Sequence, residues 1–523
     1  MVVPSYQSHC ARLSIGAVAL LSLVTAAGAD EIGYDALVAR LSGQTIPNGS
    51  GIRLAQVEAS GDGTAANYGP DQAAAEFLGK IFVPQSGVAT VSGHANAVAQ
   101  IYYSNTASIA SGVSYVYLWE ANNFITGALR YGQGSTIAPL TPPSTLMKIY
   151  NSSWIGGLSG TTPTAGDNEI LRRADFAMNR DDTLYVVGMN NGATSLTYPL
   201  MAMGFHGLSV GRMDGEHSHG LVPTGGDGVG RMKPEIVAPG GATSWSTPAI
   251  GAVAALLFQT AATHPNLATN TNADETTVIK AVMMAGARHR AGWTNNPTLT
   301  GPARGLTTKP LDSIYGVDVV NVDRSHRILT GGERDGVATS TAAIVLPPAA
   351  WDFEVIPFGA TRYWRIRSSQ TISELSIIAT WNRTASNATA LPVMADMNLT
   401  LFRVDGTGAL VALEGEDGAA FYASGNVASR STVDNVEHIY VSELLAGEYV
   451  IEAKRTGVAG TAASFSLAWL MPPMSGDLNE DGRVDGLDLA AVLSGWGGST
   501  SGDANHDGIV DGVDLAAVLS NWG

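Results

Sequence analysis

The sequence predicts an α/β domain built on a parallel sheet with helices on both faces, followed by an antiparallel β-sandwich and a small tail module. Three observations support this. Strand-like and helix-like segments alternate between residues 52 and 287. From about residue 350 to 470 short runs alternate apolar and polar residues. The last 50 residues contain a repeat offset by 26 residues. A chain of 523 residues, 45% hydrophobic, is long enough for two or three domains.

The N-terminus has the pattern of a secretory signal. His9 and Arg12 precede an apolar run over 13–25, and Ala27-Gly28-Ala29 supplies an A-x-A cleavage site. We expect cleavage after Ala29 and a secreted protein, with a buried N-terminal helix as the alternative. No later stretch reaches the ~18 apolar residues of a membrane span, so we expect none in the mature chain. The single cysteine, Cys10, lies within the signal, which leaves the mature chain without a disulfide.

The predicted α/β domain covers residues 30–345. Strands are predicted at 52–57, 114–121, 147–154, 183–189 and 207–211, and helices at 72–79, 94–102, 168–180, from 244 onward and at 273–287. Strands that alternate with helices in this way form a parallel sheet covered on both faces. The β-sandwich is predicted over 346–471 and carries no catalytic constellation. Four of its polar residues are candidate calcium ligands: Asp396, Asp434, Asn435 and Glu437.

The formal net charge is −17, and acids are concentrated in the tail. This charge excludes a nucleic-acid-binding role, because phosphate groups require a basic surface. The two tail repeats, within residues 472–523, each contain the pattern D-x-N-x-D-G-x-V-D-x-x-D. Oxygen donors at positions 1, 3, 5, 9 and 12, a backbone carbonyl at position 7 and glycine at position 6 are typical of a Ca²⁺ loop. A merely solvated acidic tail is the alternative.

The spacing predicts two Ca²⁺ sites. The ligands of the first loop are Asp477, Asn479, Asp481, Arg483 (through its carbonyl), Asp485 and Asp488. Those of the second are Asp503, Asn505, Asp507, Ile509 (through its carbonyl), Asp511 and Asp514. With one helix after each loop, the pair resembles a type I dockerin. This resemblance implies a cohesin-type protein partner through residues 476–523, with Leu489–Trp496 and Leu515–Trp522 as the docking surface. Alternatively, the two helices pack only on each other.

The segment ATSWSTPAIGAVAALL places Ser244 at the start of a long apolar helix. Small hydroxyl residues favour helix starts, and the positive end of a helix suits a nucleophile whose reaction passes through an oxyanion. His94 begins another predicted helix, while Glu58 and Asn190 each end a predicted strand. Because the carboxyl ends of parallel strands lie at one edge of a sheet, these four side chains are expected to converge there. For each of the four, an ordinary structural role is the alternative.

These segments resemble the subtilisin-like serine peptidases over roughly residues 45–335. The segment at Ser244 is similar to the Gly-Thr-Ser-x-x-x-Pro motif of the family. The segment KPEIVAPG is similar to the family's run that precedes this motif. The segment at His94 is similar to the H-x-x-x-V-A motif. Asn190 corresponds to the asparagine of Gly-Asn-x-Gly, and 151–160 to the edge that pairs with substrate. The resemblance implies a subtilisin-like sheet and an endopeptidase acting on polypeptides. In it Ser244 is the nucleophile, His94 the base, Glu58 the orienting carboxylate and Asn190 the oxyanion donor.

The sequence departs from the family pattern in ways that bear on activity. Glu58 stands where the family has aspartate, which adds one methylene between the backbone and the carboxylate. Only three residues separate Pro239 from Thr243, where the family has a longer loop. Two alternatives therefore stay open: a catalytically inactive scaffold, and a component of a polysaccharide-degrading assembly suggested by the dockerin pattern.

Overall fold

The computed structural model describes residues 30–61, 64–133, 147–385, 393–457, 460, 462–472, 475–479, 483–498, 502–504 and 509–522. The predicted signal over 1–29 lies outside these residues. Mixed α/β structure occupies the first part, with a parallel sheet flanked by helices, and antiparallel sheets follow.

Twelve strands belong to the first part of the chain. They are β1 (Arg53–Glu58), β2 (Asn67–Gly69), β3 (Ile81–Pro84), β4 (Thr90–Val91), β5 (Tyr115–Glu120), β6 (Ile149–Ser152), β7 (Leu184–Gly188), β8 (Leu208–Arg212), β9 (Gly220–Leu221), β10 (Met232–Lys233), β11 (Ile236–Ala238) and β12 (Leu306–Thr307). Seven of them form the central sheet in the order β11-β8-β7-β6-β1-β5-β3, and every neighbouring pair is parallel.

Helices of seven or more residues alternate with these strands and continue to the tail. They are α1 (Tyr34–Arg40), α2 (Gly93–Tyr103), α3 (Ala165–Asp181), α4 (Thr243–Thr263), α5 (Thr276–Ala285), α6 (Val322–Thr330), α7 (Gly486–Gly495) and α8 (Gly512–Ser520). Short helical turns lie at Ala75–Phe77, Ala121–Asn123, Phe124–Ala128 (a π-helix), Leu200–Met203, Ser340–Ala342 and Asp417–Ala420.

The two faces of the central sheet build two separate cores, because side chains alternate across a strand. In β1, Leu54 packs into the core that contains α2 and α4. Its neighbours Ala55 and Val57 face the opposite core, which contains α3. Glu58 lies four residues after Leu54 and therefore shares the α2 face of the strand.

The prediction of a helix over 72–79 is wrong except for one short turn. Only Ala75–Phe77 is helical there, as a 3₁₀ turn. The Asp71 side chain accepts the backbone N–H of Ala73, which competes with helix formation. Gly79 then adopts a φ of 84°, which ends the turn before strand β3.

The β-sandwich contains eleven further strands. They are β13 (Val345–Leu346), β14 (Ala349–Ile356), β15 (Thr361–Ser368), β16 (Ile372–Trp381), β17 (Asp396–Val404), β18 (Leu410–Ala412), β19 (Tyr422–Gly425), β20 (Ala428–Ser429), β21 (Val436–Leu444), β22 (Gly447–Thr456) and β23 (Ala463–Leu470). One sheet has the order β14-β23-β16-β21-β19 and is antiparallel throughout. The other has the order β12-β20-β17-β22-β15-β13, with β18 paired to β17. Trp364, Trp381 and Trp469 fill the space between them.

Helix α5 joins the α/β part to the sandwich. All ten of its residues are buried, as expected for a helix enclosed on every side. Trp351, Ile378 and Leu470 of the sandwich belong to the same core as α5 and the central sheet. Strand β12 precedes the predicted boundary at 345/346 yet pairs with β20, so the two parts share both a core and a sheet.

The tail forms two loop-helix halves around a small core of Val484, Val492, Val510 and Val518. Helices α7 and α8 pack on each other. Across the described ranges, no helix has both the length and the apolar composition that a membrane crossing requires.

Candidate active site

Glu58 is the last residue of β1 and is fully buried. Its Oε1 accepts a hydrogen bond of 3.0 Å from the Gln56 amide. Gln56 is itself buried, donates to the carbonyl of Ala95 at 2.8 Å and accepts the hydroxyl of Tyr103. Gln56 thus fixes one carboxylate oxygen of Glu58. Sequence reasoning missed this residue, although its position two before Glu58 places it on the same face of the strand.

His94 lies in the first turn of α2, which the Ser92 side chain caps at its N-terminus. Its Nδ1 is 2.8 Å from Oε2 of Glu58. The extra methylene of glutamate therefore does not prevent contact with the imidazole. Burial opposes protonation of His94, but the charge of Glu58 and its hydrogen bond outweigh it, so the pKa of His94 is raised. Glu58 thereby orients the imidazole ring through Nδ1, and 28% of the His94 side-chain surface is exposed.

Ser244 occupies the first turn of α4, after Ala242 as the N-cap. The helix approaches β7 closely, because a Cβ at Gly188 would lie 2.8 Å from Oγ1 of Thr247. Within the described residues, the Ser244 hydroxyl donates to the carbonyl of Ser153, at 3.5 Å, rather than to His94. The ring of Trp245, the next residue, is 5.4 Å from the His94 ring. The start of α4 thus contacts His94 through Trp245, and the Ser244 hydroxyl makes a long, weak hydrogen bond.

The two asparagines after β7 have different surroundings. Asn190 is fully buried, and its amide nitrogen donates to the carbonyl of Thr197, away from solvent. Asn191 is exposed. Its Oδ1 accepts the backbone N–H of Thr243 at 2.8 Å and the Thr243 hydroxyl at 3.1 Å. Because an amide has its oxygen and nitrogen on opposite sides, this fixes the side chain beside Ser244 with its NH₂ group still available.

The predicted substrate edge, 151–160, begins in β6 and continues beyond the sheet. Gly156 bridges Pro199, and the carbonyl of Gly160 accepts the N–H of Tyr198. The hydroxyl of Ser153 donates to the carbonyl of Ser244 at 3.2 Å. This segment therefore adjoins the start of α4.

Part of each predicted Ca²⁺ loop is described. Asp488 is fully buried, and one of its oxygens accepts the N–H of Asp485 at 2.8 Å. Asp514 accepts the N–H of Asp511 in the same way, also at 2.8 Å. The described members of the predicted set further include Asp477, Asn479, Arg483, Asp503 and Ile509. Three members lie outside the described residues: Asp481, Asn505 and Asp507. The donor set, carboxylate and amide oxygens with two carbonyls, fits a hard cation.

The four residues predicted as calcium ligands in the sandwich each have hydrogen-bond partners within the protein. Asp434 accepts the N–H of Met232, and the amide of Asn435 donates to the carbonyl of Phe205. Glu437 is buried and accepts hydrogen bonds from Ser429 and Ser431, while Asp396 accepts the hydroxyl of Thr456.

Similarity to known proteins is found among solved structures, and not among family models or curated sequences. No family model matches the sequence, and no curated protein matches it. Among solved structures, the chain is similar to that of the prenylagaramide maturation protease PagA, with 18% identity over 56% of this chain and 98% of that chain. The TM-score is 0.37, which is too low to support a functional assignment.

Proposed function

We propose that this chain is a serine endopeptidase of the subtilisin-like kind that cleaves polypeptides with a Ser-His-Glu triad. The observation that carries the proposal is the 2.8 Å contact between Glu58 and His94 at the sheet edge where the helix of Ser244 begins. A buried carboxylate directed at one nitrogen of a partly exposed imidazole is the arrangement that a general base requires.

In the proposed reaction, Ser244 attacks the scissile carbonyl and His94 accepts the hydroxyl proton. Glu58 holds the imidazole in the required tautomer and stabilises the imidazolium that forms. His94 then donates the proton to the leaving amine, and water repeats the sequence on the acyl-enzyme. For attack, the Ser244 hydroxyl leaves its 3.5 Å contact with Ser153 and turns toward His94.

Stabilisation of the oxyanion is assigned to the backbone N–H of Ser244 and the amide of Asn191. The first N–H groups of a helix have no partner within the helix and suit a developing negative charge. Asn191 supports this role better than Asn190, the residue expected from the motif. The amide nitrogen of Asn190 is already engaged with Thr197, whereas Thr243 holds Asn191 by its oxygen only.

A fluorophosphonate probe tests the proposal, because it reacts with an activated serine. We expect labelling of the full-length protein, loss of labelling in Ser244→Ala, and retained labelling in Ser246→Ala. Ser246 is the matched control, since it lies in the same helical turn with its hydroxyl directed at the carbonyl of Ala238. A well-folded wild-type protein that takes up no label would favour the inactive scaffold instead.

The tail is proposed to bind two Ca²⁺ ions and, in that form, a cohesin-type partner. Bound Ca²⁺ would connect Asp477 with Asp488 in the first loop and Asp503 with Asp514 in the second. The two halves expose equivalent apolar side chains, which supports a docking role: Leu487, Leu493 and Trp496 in one, Val513, Leu519 and Trp522 in the other. Secretion, by the predicted signal, and membership of a polysaccharide-degrading assembly are parts of the same proposal. Partner capture that calcium chelation does not weaken would contradict it.

A further inference from the structure

Three carboxylates converge where the α/β part meets the sandwich. One oxygen each of Glu333, Asp335 and Asp352 lies within 4.8 Å of the others. Glu333 and Asp335 belong to the loop that follows α6, and Asp352 lies on β14. The backbone at Glu333 also forms a parallel bridge with Trp351, which brings the loop alongside the strand. This carboxylate cluster lies apart from the catalytic edge and from the tail loops.

Asp352 is the buried member of the cluster, with 1% of its surface exposed. Its Oδ2 accepts the N–H of Gly336 at 2.8 Å and the indole N–H of Trp364 at 3.0 Å. Its Oδ1 is buried and has no hydrogen-bond partner among the described residues. A buried polar atom without a partner costs free energy, so this oxygen indicates that a ligand belongs in the cluster.

Glu333 is held rigidly by two amides from the loop that precedes α5. Asn270 donates to one carboxylate oxygen and Asn272 to the other, each at 2.7 Å. Like the donors to Asp352, these groups are neutral. They orient the carboxylates without neutralising them, which is how outer partners hold metal ligands.

Among the described residues, no cation is a hydrogen-bond or ion-pair partner of the three carboxylates. The nearby Arg362 pairs instead with Glu354, at 3.1 Å. Three carboxylates held together with one of them buried repel one another, and a bound cation relieves this repulsion.

We propose that this cluster binds one Ca²⁺ ion. All the donors are oxygens, which excludes a preference for zinc. Glu333 is half-buried and Asp335 exposed, so water completes the coordination on the open side. Ca²⁺ accepts such an irregular set of six to eight oxygens, whereas Mg²⁺ requires near-octahedral geometry. The ion would connect the loop after α6 to the first long strand of the sandwich.

Calorimetric titration of the full-length protein with Ca²⁺, after chelator treatment, tests this site. We expect Asp335→Asn to bind one equivalent fewer than wild type, or to bind that equivalent at least about tenfold more weakly. Asp335 is exposed, so its replacement should leave folding intact, and the melting temperature in chelator checks this. Asp417→Asn, an exposed acid elsewhere in the sandwich, is the control and should bind as wild type. Asp352→Asn should also lose the equivalent.

Wild type and Asp335→Asn carry the same tail loops, so a difference in Ca²⁺ binding between them reports on the cluster and not on the tail. If the tail binds no Ca²⁺, wild type still binds one equivalent and Asp335→Asn none. Equal stoichiometry and affinity in wild type and both cluster variants would overturn the proposal. Equally tight binding of Mg²⁺ at the lost site would overturn the choice of calcium.

Discussion

Glu58 and Asp352 are two buried carboxylates in contrasting surroundings. Glu58 ends a strand of the central sheet and contacts His94, the base of the proposed triad. Asp352 lies in the sandwich and contacts neutral donors on one oxygen, with two further acids nearby on the other side. In the proposed reaction, the charge of Glu58 is directed at a group that becomes positive. Asp352 is placed where the proposed Ca²⁺ ion would balance its charge.

The comparison shows that burial alone does not reveal what a carboxylate does. Both residues are almost inaccessible to solvent, and both accept hydrogen bonds from uncharged groups. What distinguishes them is the group that faces the remaining oxygen. Substitution of the carboxylate, or of the group that faces its remaining oxygen, therefore tests each assignment.

The largest effect is expected from Glu58→Gln. The amide keeps the shape of the side chain but no longer selects the tautomer of His94 or stabilises its charged form. We expect kcat/KM on a peptide substrate to fall by about 10⁴-fold, the size of the loss when the equivalent carboxylate is replaced in other serine peptidases, subtilisin among them.

Glu120→Gln is the matched control for Glu58→Gln. Glu120 pairs in register with Glu58 at the same end of the sheet and accepts the N–H of Asn123. Its replacement should leave kcat/KM within a few-fold of wild type. Equal losses in both variants would mean that Glu58 acts only through stability.

Asn191→Ala should lower kcat by about 10²- to 10³-fold with little change in KM, because the donor acts mainly on the oxyanion. Asn190→Ala should instead lower the melting temperature, since it removes the hydrogen bond that this fully buried side chain donates to the carbonyl of Thr197. Steady-state kinetics and thermal melts of both variants separate the two roles. A large loss of kcat in Asn190→Ala, with Asn191→Ala active, would restore the assignment expected from the sequence.

Calcium should stabilise wild type more than Asp352→Asn. At a free Ca²⁺ concentration 100 times Kd, one site adds about 2.7 kcal/mol to the free energy of unfolding. The variant loses this contribution and keeps that of the tail. In chelator, Asp352→Asn should be at least as stable as wild type, because it removes a buried charge. Thermal melts with and without Ca²⁺ measure both effects. If Asp352→Asn is less stable than wild type in chelator and Ca²⁺ raises its melting temperature as much as that of wild type, the calcium site is contradicted.

The smallest effect is a shift in the pH profile. His94 accepts a proton only in its neutral form, so kcat/KM should rise as pH passes upward through the pKa of His94. Glu58 raises this pKa, and Glu58→Gln should therefore move the midpoint to lower pH. The residual activity of the variant suffices for the measurement. An unchanged midpoint would show that another group controls the acid limb.

The sequence predicted the order of strands and helices well where alternation was strong, as in β1, β5, β7 and α3. It also placed Glu58 and His94 together, because both lie at the edge where parallel strands end. It did not reveal that Asn190 contacts Thr197 while Asn191 contacts Thr243, since a shift of one residue at a strand end moves a side chain to the opposite face. The 72–79 segment has helix-forming composition, but the turn at Asp71 overrides it.

The carboxylate cluster was beyond sequence reasoning for a different reason. Glu333 and Asp352 are separated by a loop and two short elements, and the bridge between Glu333 and Trp351 aligns them. No spacing rule describes such a site. The tail loops, by contrast, place all their predicted ligands within twelve residues, and a fixed spacing is visible without coordinates.

Helix α5 has a practical consequence for dissecting the protein. One side of it packs on α4 and α6, and the other is covered by β16 and β23. A chain that ends at residue 345 would expose the apolar surface of α5 that β16 and β23 cover, and we expect such a chain to aggregate. Activity assays therefore require the sandwich as well, and heating should melt both parts in a single cooperative step.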